Sequence, residues 1–157
     1  MIWRIFFLLL LSAPLLGQMA APDFQLQDHK EQSLDYQEAR KAKYYLLFFW
    51  HFQCSHCQQG LAKVEQFLKD KSPEDIQVVT IFPFAHQKEE FWAYVQDSSN
   101  QLQTPFFQHA TDYKATARRA FALKGQPPFL VLLNAENEIL SSGFKAKKLQ
   151  RIWKTLR

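Results

Sequence analysis

The seven residues YYLLFFW, Tyr44 to Trp50, show no alternation of polar and apolar side chains. A strand with one face in water alternates with a period of two, so an uninterrupted apolar run must be covered on both faces. The pattern then changes. Leu61, Val64, Phe67 and Leu68 recur at helical spacing and the segment ends in KDKS. A second buried strand is expected at IQVVTIFPF, Ile76 to Phe84, followed by a helix from Glu89 to Gln96 and a short strand from Phe106 to Gln108. Asp112 suits the N-cap of a helix reaching about Phe121. PFLVLLN and EILSSGF read as two strands joined by a polar turn at Ala135 to Asn137. Leu149, Ile152, Trp153 and Leu156 mark a closing amphipathic helix. Strands alternating with helices imply an α/β sandwich, and the sheet is expected to be mixed, because the last two strands are too close in sequence to run parallel.

The chain has 157 residues, 47% hydrophobic and 22% charged, which suits a single domain with a core of its own. A net charge of +4, with the lysines spread out, gives no footprint for nucleic acid. The first residues stand apart from this domain. MIWRIFFLLLLSAPLLG has one cation, Arg4, then an apolar run broken at Ser12 to Pro14, with small residues at Gly17, Ala20 and Ala21. That order is the order of a secretory signal, and the run falls short of the ~20 residues that span a bilayer as a helix. Residues 1–20 are therefore expected to be a signal peptide or an N-terminal membrane anchor, and residues 21–157 the folded domain. The expected location is outside the cytosol, most simply the periplasm, where disulfides persist.

Both cysteines of the chain lie in FFWHFQCSHCQQG, where the buried strand hands over to the helix. As a structural staple Cys54–Cys57 is poor, since a bridge closing so short a loop contributes only about 2 kcal/mol. The spacing suits chemistry better. Residues three apart share a helix face, so the sulfurs can meet in the first turn. Cys54 falls at the helix N-terminus, where free N–H groups and the dipole favour an anion, and the thiolate is the nucleophile. Cys57 is one turn in and less exposed. Cys54 is thus expected to exchange with a client and Cys57 to resolve the mixed disulfide. His56, between them, is either a solvent-facing polar residue or a donor that steadies the Cys54 thiolate and makes the pair more oxidising.

FFWHFQCSHC resembles the active-site segment of thioredoxin-fold proteins, with Trp50 four residues before the first cysteine. LKGQPPFLVLLN, Leu123 to Asn134, is similar to that family's cis-proline loop and the strand after it. The opening APDFQLQD resembles the start of the TlpA type, exported thiol:disulfide oxidoreductases. Peroxiredoxins share that opening, but the threonine-bearing loop before their cysteine has no counterpart here. The resemblance implies a thioredoxin-like three-layer α/β/α sandwich with a central mixed sheet and a short N-terminal β extension. It implies Pro127 as the cis-proline, with Gln126 before it offering backbone groups to an extended client peptide. Pro128, lacking an N–H, is expected at the start of the strand. Trp50 and Phe52 are expected beside the client, Phe52 as an apolar rim, while the other tryptophans and phenylalanines read mostly as core.

One departure from the family pattern stands out. Many members carry an acidic residue six positions before the first cysteine, where this chain has Phe48. Water, a backbone group or a histidine must then handle the proton of the second cysteine. Since the cysteines carry the electrons, no organic cofactor is implied, and the implied partners are cysteine-containing exported proteins and a membrane-linked thiol reductase or oxidase that resets the pair. The domain is expected to be a monomer. The rival reading is a Cu(I) or soft-metal carrier using Cys54 and Cys57, helped by His51, His86 or His109. The run Lys145, Lys147, Lys148, Arg151, Lys154 and Arg157 reads as a solvated helix face.

Overall fold

The computed structural model describes residues 19–156. The leader segment expected at residues 1–20 lies almost wholly outside the described residues. In chain order the strands are β1 (Met19–Ala20), β2 (Leu26–Gln27), β3 (Ser33–Leu34), β4 (Tyr44–Phe49), β5 (Ile76–Phe82), β6 (Phe107–Thr111), β7 (Phe129–Asn134) and β8 (Glu138–Phe144). The helices are α1 (Tyr36–Ala39), α2 (Ser55–Leu68), α3 (Lys88–Gln96), α4 (Thr116–Ala120) and α5 (Leu149–Lys154). One sheet takes all the strands in the order β1-β8-β7-β4-β5-β6-β2-β3. β4, β5 and β6 run parallel, while β7 is antiparallel to β4 and to β8, which gives the mixed sheet expected from the short β7–β8 connection.

The unalternating run of β4 has the position its composition demands. Leu46 and Phe48 point into one core with Cys57, Leu61, Val64 and Phe67 of α2, Phe91 and Val95 of α3, and Leu149 and Trp153 of α5. Tyr45, Leu47 and Phe49 point into the opposite core with Tyr36 of α1 and Ala117 of α4. β5 divides in the same way, Val78 and Phe82 to the first core and Val79 and Ile81 to the second. The result is a three-layer sandwich with the central strands sealed on both faces.

The N-terminal extension is split between the two sheet edges. β1 pairs with β8, and the β2–β3 hairpin attaches through Gln27 opposite Thr111 of β6. Asn137, with φ +62°, turns the chain from β7 to β8. Its carbonyl accepts from Ala21 N at 2.7 Å and its side-chain oxygen from Tyr36 Oη at 2.7 Å, so the expected polar turn also anchors the extension.

Some boundaries differ from the sequence expectation. The strand expected at Phe106 to Gln108 runs on to Thr111, because Gln108 Nε2, the His109 ring and Thr111 Oγ1 find hydrogen-bond partners. α4 begins at Thr116 rather than directly after Asp112, with Ala115 at φ +54° between them. Asp112 still anchors the helix from a distance. Its buried carboxylate accepts from Ala117 N at 3.1 Å, Arg118 N at 2.9 Å and Thr116 Oγ1 at 3.1 Å.

Candidate active site

The end of the sheet where the central strand β4 ends and its neighbour β7 begins carries the cysteines. Trp50 N donates to Ile81 O at 3.0 Å, holding the chain as it leaves β4. Cys54 N donates to His51 O at 3.0 Å and closes a tight turn. Cys54 then caps α2 with its own sulfur: the backbone is extended at φ −90° and ψ 116°, and Cys57 N donates to Sγ at 3.2 Å. An N-cap is ordinarily Ser, Thr, Asp or Asn, whose oxygen accepts such a bond. Here a sulfur takes that place, where helix N–H groups and the macrodipole favour negative charge.

The two sulfurs have unlike surroundings. Both are free thiols, Cys54 half-buried and Cys57 fully buried. Burial pushes the Cys57 thiol up to about 12, helped by its hydrogen bond with Cys54. A backbone hydrogen bond from His51 and the charge of Lys145 act in the opposite direction. The backbone of His51 and the Lys145 ammonium are therefore the groups that favour the Cys57 thiolate. Phe48, six positions before Cys54, is fully buried and packs at 6.0 Å centroid distance from Trp50. Gly60 of α2 packs against this layer. A Cβ there would lie 3.4 Å from the Phe48 ring and 3.5 Å from Pro128 Cγ.

The proline loop faces the start of α2, and here the sequence reading needs correcting. The cis peptide joins Pro127 to Pro128, so Pro128, not Pro127, is the cis-proline, and Pro127 rather than Gln126 precedes it. Pro127 has no N–H to offer a client. Gln126 is exposed, whereas Pro127 and Pro128 are buried, and Pro128 directly precedes β7 as expected. Two cations hold the loop. Arg118 of α4 donates to the carbonyls of Leu123 and Gly125, and Lys145 Nζ donates to Pro128 O at 2.8 Å while lying 4.7 Å from the centre of the Phe129 ring.

Three other expectations change. Phe52 is no apolar rim: it is 6% exposed, stacked 5.1 Å from His51 and tilted against Tyr94 at 5.3 Å. Trp50 is completely buried and cannot touch a client. The rings of Trp50 and Phe52 pack instead against Phe91 and Tyr94 of α3, and Phe52 also against Phe82 of β5. His56 is exposed, and no hydrogen bond joins it to Cys54. It lines a cleft with Pro127, Pro128, Lys63, Lys145 and Lys147.

Sequence reasoning missed His51 and Lys145 as site residues. The sequence offers His51 only as a metal ligand and Lys145 only as part of a basic run. The signal available for His51 was its place between the buried strand and Cys54. The histidines named for a metal do not gather. His51 Nδ1 accepts from Gln53 N at 3.1 Å, and His109 bonds Thr80 Oγ1 at 2.7 Å and Leu102 O at 3.1 Å. Among the described residues no group of three or more His, Cys, Asp or Glu is placed to hold a metal ion.

Residues 17–141 match the model of the AhpC/TSA family. No curated protein matches the sequence. Among solved structures, the chain is similar to a domain of a possible thiol-disulfide isomerase from Cytophaga hutchinsonii, with 23% identity, 92% of this chain and 95% of that chain covered, and a TM-score of 0.69. It is similar to the thioredoxin domain of a thiol-disulfide oxidoreductase from Bacteroides vulgatus, with 15% identity, 88% and 96% coverage and a TM-score of 0.67. A thioredoxin-like protein from Aeropyrum pernix aligns at 12% identity over 86% of this chain and 89% of that one, with a TM-score of 0.63. At these identities the shared feature is the thioredoxin-like fold.

Proposed function

Since the chain belongs to the AhpC/TSA family, and its thioredoxin-like fold sets two thiols at one helix start, we propose that it is a thiol:disulfide oxidoreductase acting on exported proteins. The observation that carries this reading is the asymmetry of the pair. Cys54 is half-exposed and caps α2 with its sulfur, while Cys57 is buried one turn away within hydrogen-bonding reach of it. One sulfur can meet a client and the other can reach only the first.

In the reductive direction the Cys54 thiolate attacks one sulfur of a client disulfide. A Cys54–client S–S bond forms, the client's S–S bond breaks, and its second sulfur leaves as a thiolate that takes up a proton. Cys57 loses its proton and attacks Sγ of Cys54, which releases the client's first sulfur as a thiolate. Two electrons have passed to the client and Cys54–Cys57 is a disulfide. The same steps in reverse donate a disulfide. A membrane-linked dithiol or disulfide protein resets the pair, and its poise sets the direction. Loss of the Cys57 proton is the demanding step, because burial disfavours the thiolate. Lys145 and the His51 backbone oppose that penalty. His56 is assigned a tuning role from its place between the cysteines and at the cleft. The leader-like start of the sequence supports action on the periplasmic side, with the domain free or tethered.

The test is Cys57→Ala. Cells expressing this variant should accumulate mixed disulfides through Cys54, visible as slow bands on a non-reducing gel that collapse with reductant. A gel without such bands, with Cys54 intact and the protein folded, contradicts the exchange mechanism.

A further inference from the structure

Beside the cysteines the surface is cationic by construction. A cleft of about 310 Å³ runs from His56 and Gly60 on α2 to the Pro127–Pro128 turn. Lys63 reaches it from α2, and Lys145 and Lys147 from the turn after β8. No carboxylate lines it. A second hollow of about 530 Å³ continues it along α2, sharing Lys63 and Lys147 and adding Lys69. The one carboxylate there, Asp70, is paired with Lys71. No salt bridge involving Lys63, Lys145 or Lys147 occurs among the described residues.

Solvated lysines normally repel one another into open water. Here three, from two parts of the fold, line one concave strip that starts at His56 and the proline turn beside the redox pair. Lys145 and Lys147 come from the basic run after β8, and the fold adds Lys63 to them from α2. A group of like charges with no counter-charge raises the local concentration of an anionic partner and speeds its encounter. Lys145 is near enough for its charge to favour the Cys57 thiolate, which ties the strip to the sulfurs.

We infer that this cleft selects the client: the polypeptide that forms the mixed disulfide with Cys54 carries carboxylate side chains next to its cysteine and lays that acidic segment between α2 and the turn after β8. The inference rests on the exchange reading above. It commits to an acidic peptide, not an anionic membrane, because the strip is concave and begins at His56 and the Pro127–Pro128 turn, next to Cys54, where a client chain must pass.

The experiment uses the reduced protein and three peptides of equal length, each with one cysteine blocked as a mixed disulfide with thionitrobenzoate. They differ only in the flanking residues, which are acidic, neutral amide or basic. The Cys54 thiolate attacks the peptide sulfur and releases the coloured thionitrobenzoate thiolate, whose appearance gives a second-order rate constant. Each rate is divided by that of dithiothreitol with the same peptide, to remove intrinsic reactivity. Two or three surface ion pairs of this kind should favour the acidic peptide over the neutral one by about tenfold at low salt. The preference should fall below about twofold at 0.5 M salt, where screening is short-ranged. Lys63→Gln with Lys147→Gln should remove most of it. Lys41→Gln, at the opposite end of β4, should leave it intact. Equal normalised rates for the three peptides overturn the acidic-client inference and leave exchange standing. No thionitrobenzoate release from any of them overturns exchange itself, and the inference with it.

Discussion

Two sulfurs three residues apart occupy different media. Cys54 stands at the open end of α2 with an amide N–H aimed at it, and Cys57 lies under Phe48 and Trp50 in the larger core. Alkylation measures the difference. Iodoacetamide at pH 7.5 should modify Cys54 at least about 100-fold faster than Cys57, since a thiol pushed up to about 12 is almost wholly protonated there. For a raised thiol pKa the thiolate fraction grows as pH rises toward that value, so the Cys57 rate should climb about tenfold per pH unit above neutrality. Comparable rates at pH 7.5, read by mass spectrometry of the two peptides, contradict the asymmetry. At this scale the nucleophile, its partner and their helix position were legible in the sequence, because spacing and the strand-to-helix change fix them. The proline was misplaced by one because two prolines stand together, and only the backbone shows which bond is cis. Phe52 was misread because its exposure depends on Phe82, Phe91 and Tyr94, which come from distant segments.

The elements that frame the site are held by a few buried polar contacts as well as by packing. Asp112 is the clearest case, linking the end of β6 to the first turn of α4, whose Thr116 also bonds Gln25 O at 2.7 Å. Asp112→Ala leaves Ala117 N and Arg118 N without acceptors and should lower stability by about 1–3 kcal/mol. Urea unfolding should show a lower midpoint with an unchanged slope, and a midpoint equal to the parent's contradicts the anchoring role. Asp112 was legible as a partner of the helix start, though not as its N-cap, which is Ala115. The position of the helix was not, since Ala115 at φ +54° inserts a turn that no side-chain pattern announces. β4 and β5 were read correctly because residues sealed on both faces leave an unbroken apolar run. β6 was cut short because its inner polar groups look like loop residues until their partners are known, as with His109 and Thr80.

For the molecule as a whole, the sequence conveyed the layers and the mixed sheet but not that the N-terminal segment reaches both sheet edges, since two-residue strands carry no periodicity. Its pH response follows from His109 between β6 and the segment at Leu102. Burial lowers the His109 pKa below the usual 6.5, against the hydrogen bond to Leu102 O. The unfolded chain therefore binds the proton more readily. The stabilisation is complete above about pH 6.5 and is lost as pH falls from there toward the lowered folded value. The urea midpoint should drop between pH 7 and pH 5, and by less in His109→Gln; an equal drop in both assigns the loss to other groups. The most direct test of the central claim is equilibration of the purified domain in glutathione buffers of graded ratio, with the dithiol fraction read by mass after acid quench and alkylation. The expected result is one reversible two-electron transition at a potential between ~−120 and ~−270 mV, changing tenfold in dithiol-to-disulfide ratio per ~30 mV. A pair that stays fully reduced across the whole series, or that forms only glutathione adducts at Cys54, contradicts it.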